Sequence, residues 1–281
     1  MKVKFDRVSF TYGSTEALKD VSCEFGSGRT VLVVGHNGSG KSTFLRLMNG
    51  ILKPSNGEVR LGDTSTREKP VSELARRCAL SFQNPDDQLF AQTVAKELRF
   101  GIDNIGGDGS LLGPVIEAFH LGEHLESNPY SLTYALRRLV AIAGSGAMNT
   151  PILALDEPTA GLSLREKNYL GNLISLLKGR GKTIVIVTHD LNFLLPYADD
   201  VLMLRRGEVQ FTGSRDDLFA RADGRKLMLR SGISYPVYAR ISSAVGSDGV
   251  RFTAEEIIDG LIKKRAGTTL RTNGQRQLEG A

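Results

Sequence analysis

Gly35-His36-Asn37-Gly38-Ser39-Gly40-Lys41-Ser42-Thr43 has the order GxxxxGK[ST]. It follows an apolar β run and opens a helical stretch, the context in which this pattern cradles phosphate. Glycines let successive backbone N–H groups curl around phosphate oxygens without Cβ clashes. The helix N-terminus adds partial positive charge. Lys41 supplies a point cation for the β- and γ-phosphates, and Ser42 a hydroxyl for Mg²⁺.

A second constellation lies at Ile152-Leu153-Ala154-Leu155-Asp156-Glu157-Pro158. An apolar strand delivers two acids at its C-terminal end, where ligands bind in open α/β sheets. Asp156 is placed to hold Mg²⁺, and Glu157 to orient or deprotonate an attacking water. The run Thr183–Val187 ends at Thr188-His189-Asp190, which puts His189 at the same predicted sheet edge, as a γ-phosphate contact. Tyr12, at the end of the first strand region, is an aromatic that can stack on a base or pack in a core. His36 lies inside the phosphate loop with a side chain free to point away. His120 and His124 have helical i, i+4 spacing but no third ligand, so they read as surface residues.

The elements that must position these groups are legible as runs and breaks. Lys2–Phe10 alternates polar and apolar residues. Val21–Phe25 and Thr30–Val34 flank Gly26-Ser27-Gly28, which reads as a hairpin-like turn. A helix is expected from Lys41 to about Asn49, then breakers at Pro54, Asn56 and Gly57, then a short strand Glu58–Leu61. Cys78–Phe82 is of buried-strand type. Residues 85–147 read as a mainly helical insertion. The runs Ile152–Leu155 and Thr183–Val187 enclose a helical segment, Leu164–Leu177. That β-α-β rhythm predicts an α/β fold with a parallel sheet under helices. Val201–Leu204 and Glu208–Phe211 flank a hairpin at Arg205-Arg206-Gly207. Beyond Ser214 the composition changes; Thr253-Ala254-Glu255-Glu256 reads as a capping box before a helix Ile257–Lys264. The organisation expected is 1–214 and a C-terminal extension, 215–281.

Composition narrows the classes. Of 281 residues, 41% are hydrophobic and 24% charged, which suits a globular chain. No stretch approaches the roughly 20 apolar residues that span a bilayer. The N-terminal ten residues alternate and lack the apolar core of a secretory signal. Cys23 and Cys78 sit among apolar neighbours and read as small core residues. The net charge of +5 is mild. Its basic excess near the end (Lys263, Lys264, Arg265, Arg271, Arg276) lacks interleaved aromatics, so no nucleic-acid partner is expected.

The order Tyr12, GHNGSGKST, Gln83, ILALDEP, His189 resembles the ATP-binding-cassette (ABC) ATPase family over about 1–215. The resemblance implies a P-loop NTPase cassette: a RecA-like mixed sheet, an N-terminal antiparallel β part and a helical subdomain at about 85–147. It implies ATP and Mg²⁺ as ligands, and Gln83 as a loop residue that contacts Mg²⁺ and senses a membrane subunit. Two cassettes would close head-to-tail over two ATPs. Phe82-Gln83-Asn84-Pro85-Asp86-Asp87-Gln88-Leu89-Phe90 and Arg138–Gly144 are similar to segments of energy-coupling-factor and cobalt-type importers. Those import vitamins and transition-metal ions with a transmembrane coupling subunit and a substrate-binding membrane protein. A peripheral location on the cytoplasmic face of the cell membrane follows from that resemblance.

The family signature LSGGQ falls here on Leu132-Thr133-Tyr134-Ala135-Leu136. Tyr134 and Ala135 replace both glycines, and Leu136 the glutamine. Ser163 also stands where the D-loop, Thr159–Ser163, usually has Asp. A Tyr at the point of close backbone approach to the partner's γ-phosphate is expected to crowd it or tilt the backbone. A heterodimer with a cassette bearing an intact signature is therefore expected. Rival readings are another type of ABC transporter motor, a soluble ABC ATPase acting outside transport, and a non-hydrolysing regulatory cassette.

Overall fold

The N-terminal half opens with two long strands. β1 (Val3–Tyr12) and β2 (Thr15–Phe25) pair antiparallel through a turn at residues 13–14. β4 (Asn56–Leu61) lies on the other side of β1, and β5 (Thr64–Ser65) at the edge. The alternation at Lys2–Phe10 is thus a real β period, with Val3, Phe5 and Val8 buried. Between β2 and β4 come β3 (Thr30–Val34) and α1 (Lys41–Met48). The structure, a computed structural model, describes residues 1–245 and 249–263.

Gly26-Ser27-Gly28, expected as a hairpin, instead hands the chain from one sheet to another. β2 pairs with β1, whereas β3 enters the second sheet between two parallel neighbours. The reason is burial. β3 reads Thr-Val-Leu-Val-Val and is buried at every position, so it needs cover on both faces, which a half-solvated antiparallel edge does not give.

The second sheet has the order β10-β9-β3-β8-β7-β6. Its strands are β6 (Cys78–Ser81), β7 (Ile152–Asp156), β8 (Thr183–Val187), β9 (Asp200–Arg205) and β10 (Glu208–Ser214). β6, β7, β8, β3 and β9 run parallel, and β10 closes antiparallel through the Arg206-Gly207 turn. The sheet is therefore mixed rather than purely parallel.

This sheet divides the core. Val31 and Val33 face the antiparallel sheet and α1, in a cluster with Phe5, Phe44 and Leu61. Leu32 and Val34 face the opposite way, into the helices. The period of two sends alternate residues of one strand to two different layers. Each fully buried Val, Leu or Ile contributes roughly 1.5–3 kcal/mol.

α2 (Val71–Leu74) buries Leu74 on the side of α1 and the antiparallel sheet, and the helical layer consists of α3 (Val94–Ile105), α4 (Leu112–Ala118), α5 (Tyr134–Ala147), α6 (Leu164–Gly179) and α7 (Leu191–Leu194). Thr93, Thr133 and Ser163 cap α3, α5 and α6, each hydroxyl accepting a backbone N–H of the first turn. At Ser163 the cap is reciprocal, because the Glu166 carboxylate accepts from the Ser163 N–H at 2.7 Å. Short helices α8 (Arg215–Ala220), α9 (Gly224–Arg230) and α10 (Val237–Ala244) follow. Leu218, Met228, Ile233 and Phe252 join the helical-side cluster, so this C-terminal segment shares the main core.

A last helix covers 254–263. Its cap differs from the expected box. The Thr253 hydroxyl accepts from the Glu256 N–H at 3.1 Å, but the Glu256 carboxylate reaches back to the Phe252 N–H, at 2.8 Å. Lys264, Arg265, Arg271 and Arg276 lie outside the described residues. Cys23 and Cys78 are free and buried, as expected.

Candidate nucleotide-binding and hydrolysis site

Three parallel strands end flush. Val33 pairs with Val187 across β3 and β8, and Asp156 with Val187 across β7 and β8. Val34, Glu157 and Thr188 are therefore level at the sheet edge, with Gly35 one residue beyond. Two hydrogen bonds prolong the ladder past the strand ends: Thr188 N–H to Val33 O at 3.2 Å and Glu157 N–H to Val187 O at 2.9 Å.

The phosphate loop is wrapped between β3 and α1. Gly40 has φ +100, and a Cβ there would lie 2.6 Å from both Ala17 O and Leu18 Cδ2. Only glycine fits where β2 approaches the loop so closely. The Lys41 ammonium is buried and donates to Gly35 O at 2.8 Å and His36 O at 3.0 Å, which holds it across the loop mouth. Burial lowers its pKa, and the carboxylates of Glu157 and Asp156 oppose that shift. Ser39 is fully buried, with an unpartnered hydroxyl among the described residues. His36 turns its ring to its neighbour's carbonyl, with Nδ1 2.6 Å from Asn37 O.

Asp156 is the last residue of β7, and Glu157 follows it. Asp156 is buried, which raises its pKa, while a hydrogen bond from Ser42 lowers it. Its Oδ1 has no hydrogen-bond partner among the described residues. A buried, unpartnered carboxylate oxygen beside a hydroxyl is a donor set that suits a hard divalent cation. Glu157 has φ +48, an uncommon conformation for a non-glycine residue, right after β7. Burial raises its pKa, with the His189 backbone N–H opposing. Its Oε1 lies 3.1 Å from His189 Nε2, and its Oε2 accepts from His189 N–H at 3.2 Å. Burial, and after it Lys41, lowers the His189 pKa.

These groups line one open cleft of about 970 Å³, with Tyr12, Asn37, Gly38, Gly40, Lys41, Ser42, Thr43, Gln83, Glu157 and His189 on its walls. Tyr12 is 43% exposed at the rim and meets Phe10 edge-on at 4.8 Å. Gly35, His36, Ser39 and Asp156 stand behind the wall. Ala17, Thr159, Ala160, Lys167 and Asp190 also line the cleft, none of them read from the sequence as a site residue. Lys167 and Asp190 form an ion pair at 2.6 Å. Asp190 follows His189 directly and could have been suspected on that ground; Lys167 gave no signal. His120 and His124 belong elsewhere, and no group of three or more metal-ligating side chains occurs among the described residues.

The signature position lies across α5. The Thr133 hydroxyl accepts from Leu136 N–H at 3.3 Å and so serves as the helix cap. The Tyr134 ring lies over Gly161, where an added Cβ would come within 2.9 Å of it. The segment after β6 is tied to α5 by Gln88, which donates to Ala141 O at 2.9 Å, and by the ion pair Asp86–Arg137 at 3.0 Å. Phe90 and Phe100 pack edge-on at 4.3 Å and remain exposed beside a smaller apolar groove.

Residues 18–160 match the family described as ABC transporter. The energy-coupling factor transporter ATP-binding protein EcfA2 of Lacticaseibacillus paracasei is 34% identical over 287 residues, 95% of this chain and 99% of its own. The structure of cbiO1 from Clostridium perfringens, part of the ABC transporter complex cbiONQ, superposes with a TM-score of 0.66 at 28% identity, covering 87% of this chain and 98% of that one. The dimeric ATP-binding cassette MJ0796, in a post-hydrolysis state with ADP and Pi, superposes with a TM-score of 0.66 at 26% identity, covering 75% of this chain and 98% of that one. No helix of the described residues is long and apolar enough to cross a membrane. With a glycine-rich loop, Glu157 and His189 on one cleft, the chain belongs to the ABC transporter family, as an ATPase cassette of its energy-coupling-factor group.

Proposed function

We propose that this ATPase powers uptake of a vitamin or a transition-metal ion through an energy-coupling-factor importer, as one half of a cassette heterodimer docked on the cytoplasmic face of the membrane. The observation that carries the pairing is Tyr134 at the head of α5, with its ring over Gly161, where a family signature has glycine. The chain's own phosphate loop and carboxylates are complete. It would hydrolyse the ATP it grips when a partner supplies a glycine signature, and would serve its partner's ATP poorly.

The site residues have separable roles in this reading. Tyr12 stacks on the base. The amides of Gly35–Thr43 and the Lys41 ammonium take the phosphates. Ser42, Asp156 and Gln83 hold Mg²⁺, which neutralises phosphate charge when bound. Glu157 accepts the proton of the attacking water; burial has already moved its pKa toward a value suited to a base. His189 keeps the Glu157 carboxylate oriented and faces the γ-phosphate. The exposed Phe90–Phe100 pair suits an apolar segment of a membrane coupling subunit, with a substrate-binding membrane protein beyond it. The cassette body is 1–214, with the helical part at about 85–147, and 215–281 is an extension.

The test is steady-state ATPase activity of the purified chain, with Glu157→Gln as blank, beside the complex recovered from membranes through the tagged chain. The expected result is ATP binding with blank-level turnover alone, and turnover in a complex that contains a second cassette. Robust turnover by the chain alone would overturn the heterodimer. Tyr134→Gly with Ala135→Gly is expected to raise turnover at the partner's site.

A further inference from the structure

Arg138, on the second turn of α5, is the largest fully buried side chain among the described residues, at 1% exposure. An arginine so placed is expensive unless every donor is met. Among the described residues it forms no ion pair with a carboxylate. Instead its guanidinium meets four peptide carbonyls. Nε donates to Pro158 O at 3.3 Å, Nη2 to Asp156 O at 3.1 Å and to Glu157 O, and Nη1 to Gln83 O. The rigid planar fork of arginine suits such a convergent set, which a lysine ammonium cannot span.

The four carbonyls belong to the site. Three follow one another along the turn that leaves β7, and the fourth is that of Gln83 after β6. The middle one, Glu157, has the positive φ noted above. A strained turn persists only where its surroundings hold it. Here Arg138 holds the peptide on each side of Glu157, and the same fork fixes the Gln83 peptide. One turn earlier on α5, Tyr134 lies over Gly161, farther along the same segment. The head of α5 is therefore pinned twice to the 156–161 stretch of its own chain.

We propose that Arg138 is a positioning residue for ATP hydrolysis: it registers Glu157 and Gln83 to the head of α5, so that the placement of that helix sets the placement of the carboxylate that activates water. It touches no nucleotide; it acts through the backbone of residues that do. The inference rests on the reading of Glu157 as the residue that activates water. A shift of α5 relative to β7 would carry Gln83 and Glu157 together, because one side chain grips both.

The test uses the full chain in its membrane complex, with Arg138→Met and Arg138→Lys beside Glu157→Gln. ATP affinity, kcat, KM and melting temperature are measured for each. Loss of a placement by about 1 Å can cost on the order of 10²-fold in rate. The expected result for Arg138→Met is a kcat lower by that order with ATP affinity within about threefold of wild type, a scale well below such a placement loss. Arg138→Lys keeps charge and length but not the fork, and is expected to fall between the two while melting near wild type. Wild-type kcat in either variant overturns the proposal. So does a joint fall of affinity, melting temperature and kcat in Arg138→Lys, which marks a purely structural anchor. If Glu157→Gln itself keeps turnover, the reading of Glu157 fails, whatever Arg138 does.

Discussion

Glu157 holds His189 at two points: its Oε2 accepts the histidine's backbone N–H at 3.2 Å, and its Oε1 lies 3.1 Å from the ring Nε2. The carboxylate and the imidazole are thus held as a pair. His189→Ala removes the ring contact and keeps the backbone one. Turnover of the complex is expected to fall by roughly 10²–10³-fold, the scale for losing one aimed donor. ATP affinity should change little. An isothermal titration beside single-turnover hydrolysis checks this; an affinity loss as large as the rate loss would count against the pairing.

Tyr12 stands exposed at the rim of the cleft, braced edge-on by Phe10. Its ring stabilises little in the fold. Tyr12→Ala is expected to weaken ATP binding by about 1–2 kcal/mol, the scale of base–aromatic stacking, with the melting temperature of the nucleotide-free chain unchanged. The decisive comparison is with a triphosphate lacking the base, whose affinity the substitution should leave alone.

The C-terminal segment reaches the phosphate loop. Gly232 has φ +73, and a Cβ there would lie 2.9 Å from His36 Cβ. Gly232→Val adds a side chain both where the backbone disfavours one and where the loop is touched. It is expected to lower ATP affinity severalfold, by pressing on the loop backbone, and to lower stability by about 1–3 kcal/mol, the cost of such a conformation. Affinity and melting curves of Gly232→Ala and Gly232→Val, taken together, check it. Equal affinity in all three chains would show that the loop is indifferent to this contact.

Burial pushes the Cys78 thiol up to about 12, and Cys23 higher still. The thiolate is the reactive form, so neither should react near neutral pH in the folded chain. A thiol reagent at pH 8 is expected to label no cysteine in the native protein and both after unfolding in guanidinium. Native labelling of Cys78 would mean that β6 opens readily.

How far the sequence reveals this molecule depends on the range of the interactions. The phosphate loop, the acids after β7 and the position of His189 were all legible, because each is written in consecutive residues. Strand alternation revealed β1, but not which sheet β3 joins. That depends on partners such as Thr183–Val187 and Asp200–Arg205, far along the chain. β2 begins at Thr15, well before the apolar run at Val21, because its first residues are drawn into pairing by β1 rather than by their own pattern. Arg138 looks in sequence like any charged residue of an amphipathic helix. Its burial depends on carbonyls presented by Gln83 and by the turn after β7, which no local pattern announces. The Lys167–Asp190 pair and the approach of Gly232 to His36 were hidden for the same reason.

The main sheet sends alternate residues of β3 into two separate clusters. Tyr12 and the glycine turn at Gly40 rest on the layer that holds β1 and β2. Gln83 and the Arg138 tie rest on the helical layer. On the roles proposed above, grip and turnover fall to opposite sides of one wall. A lineage of such chains could retune how tightly fuel is held without disturbing how fast it is spent, and the reverse, by repacking one side at a time.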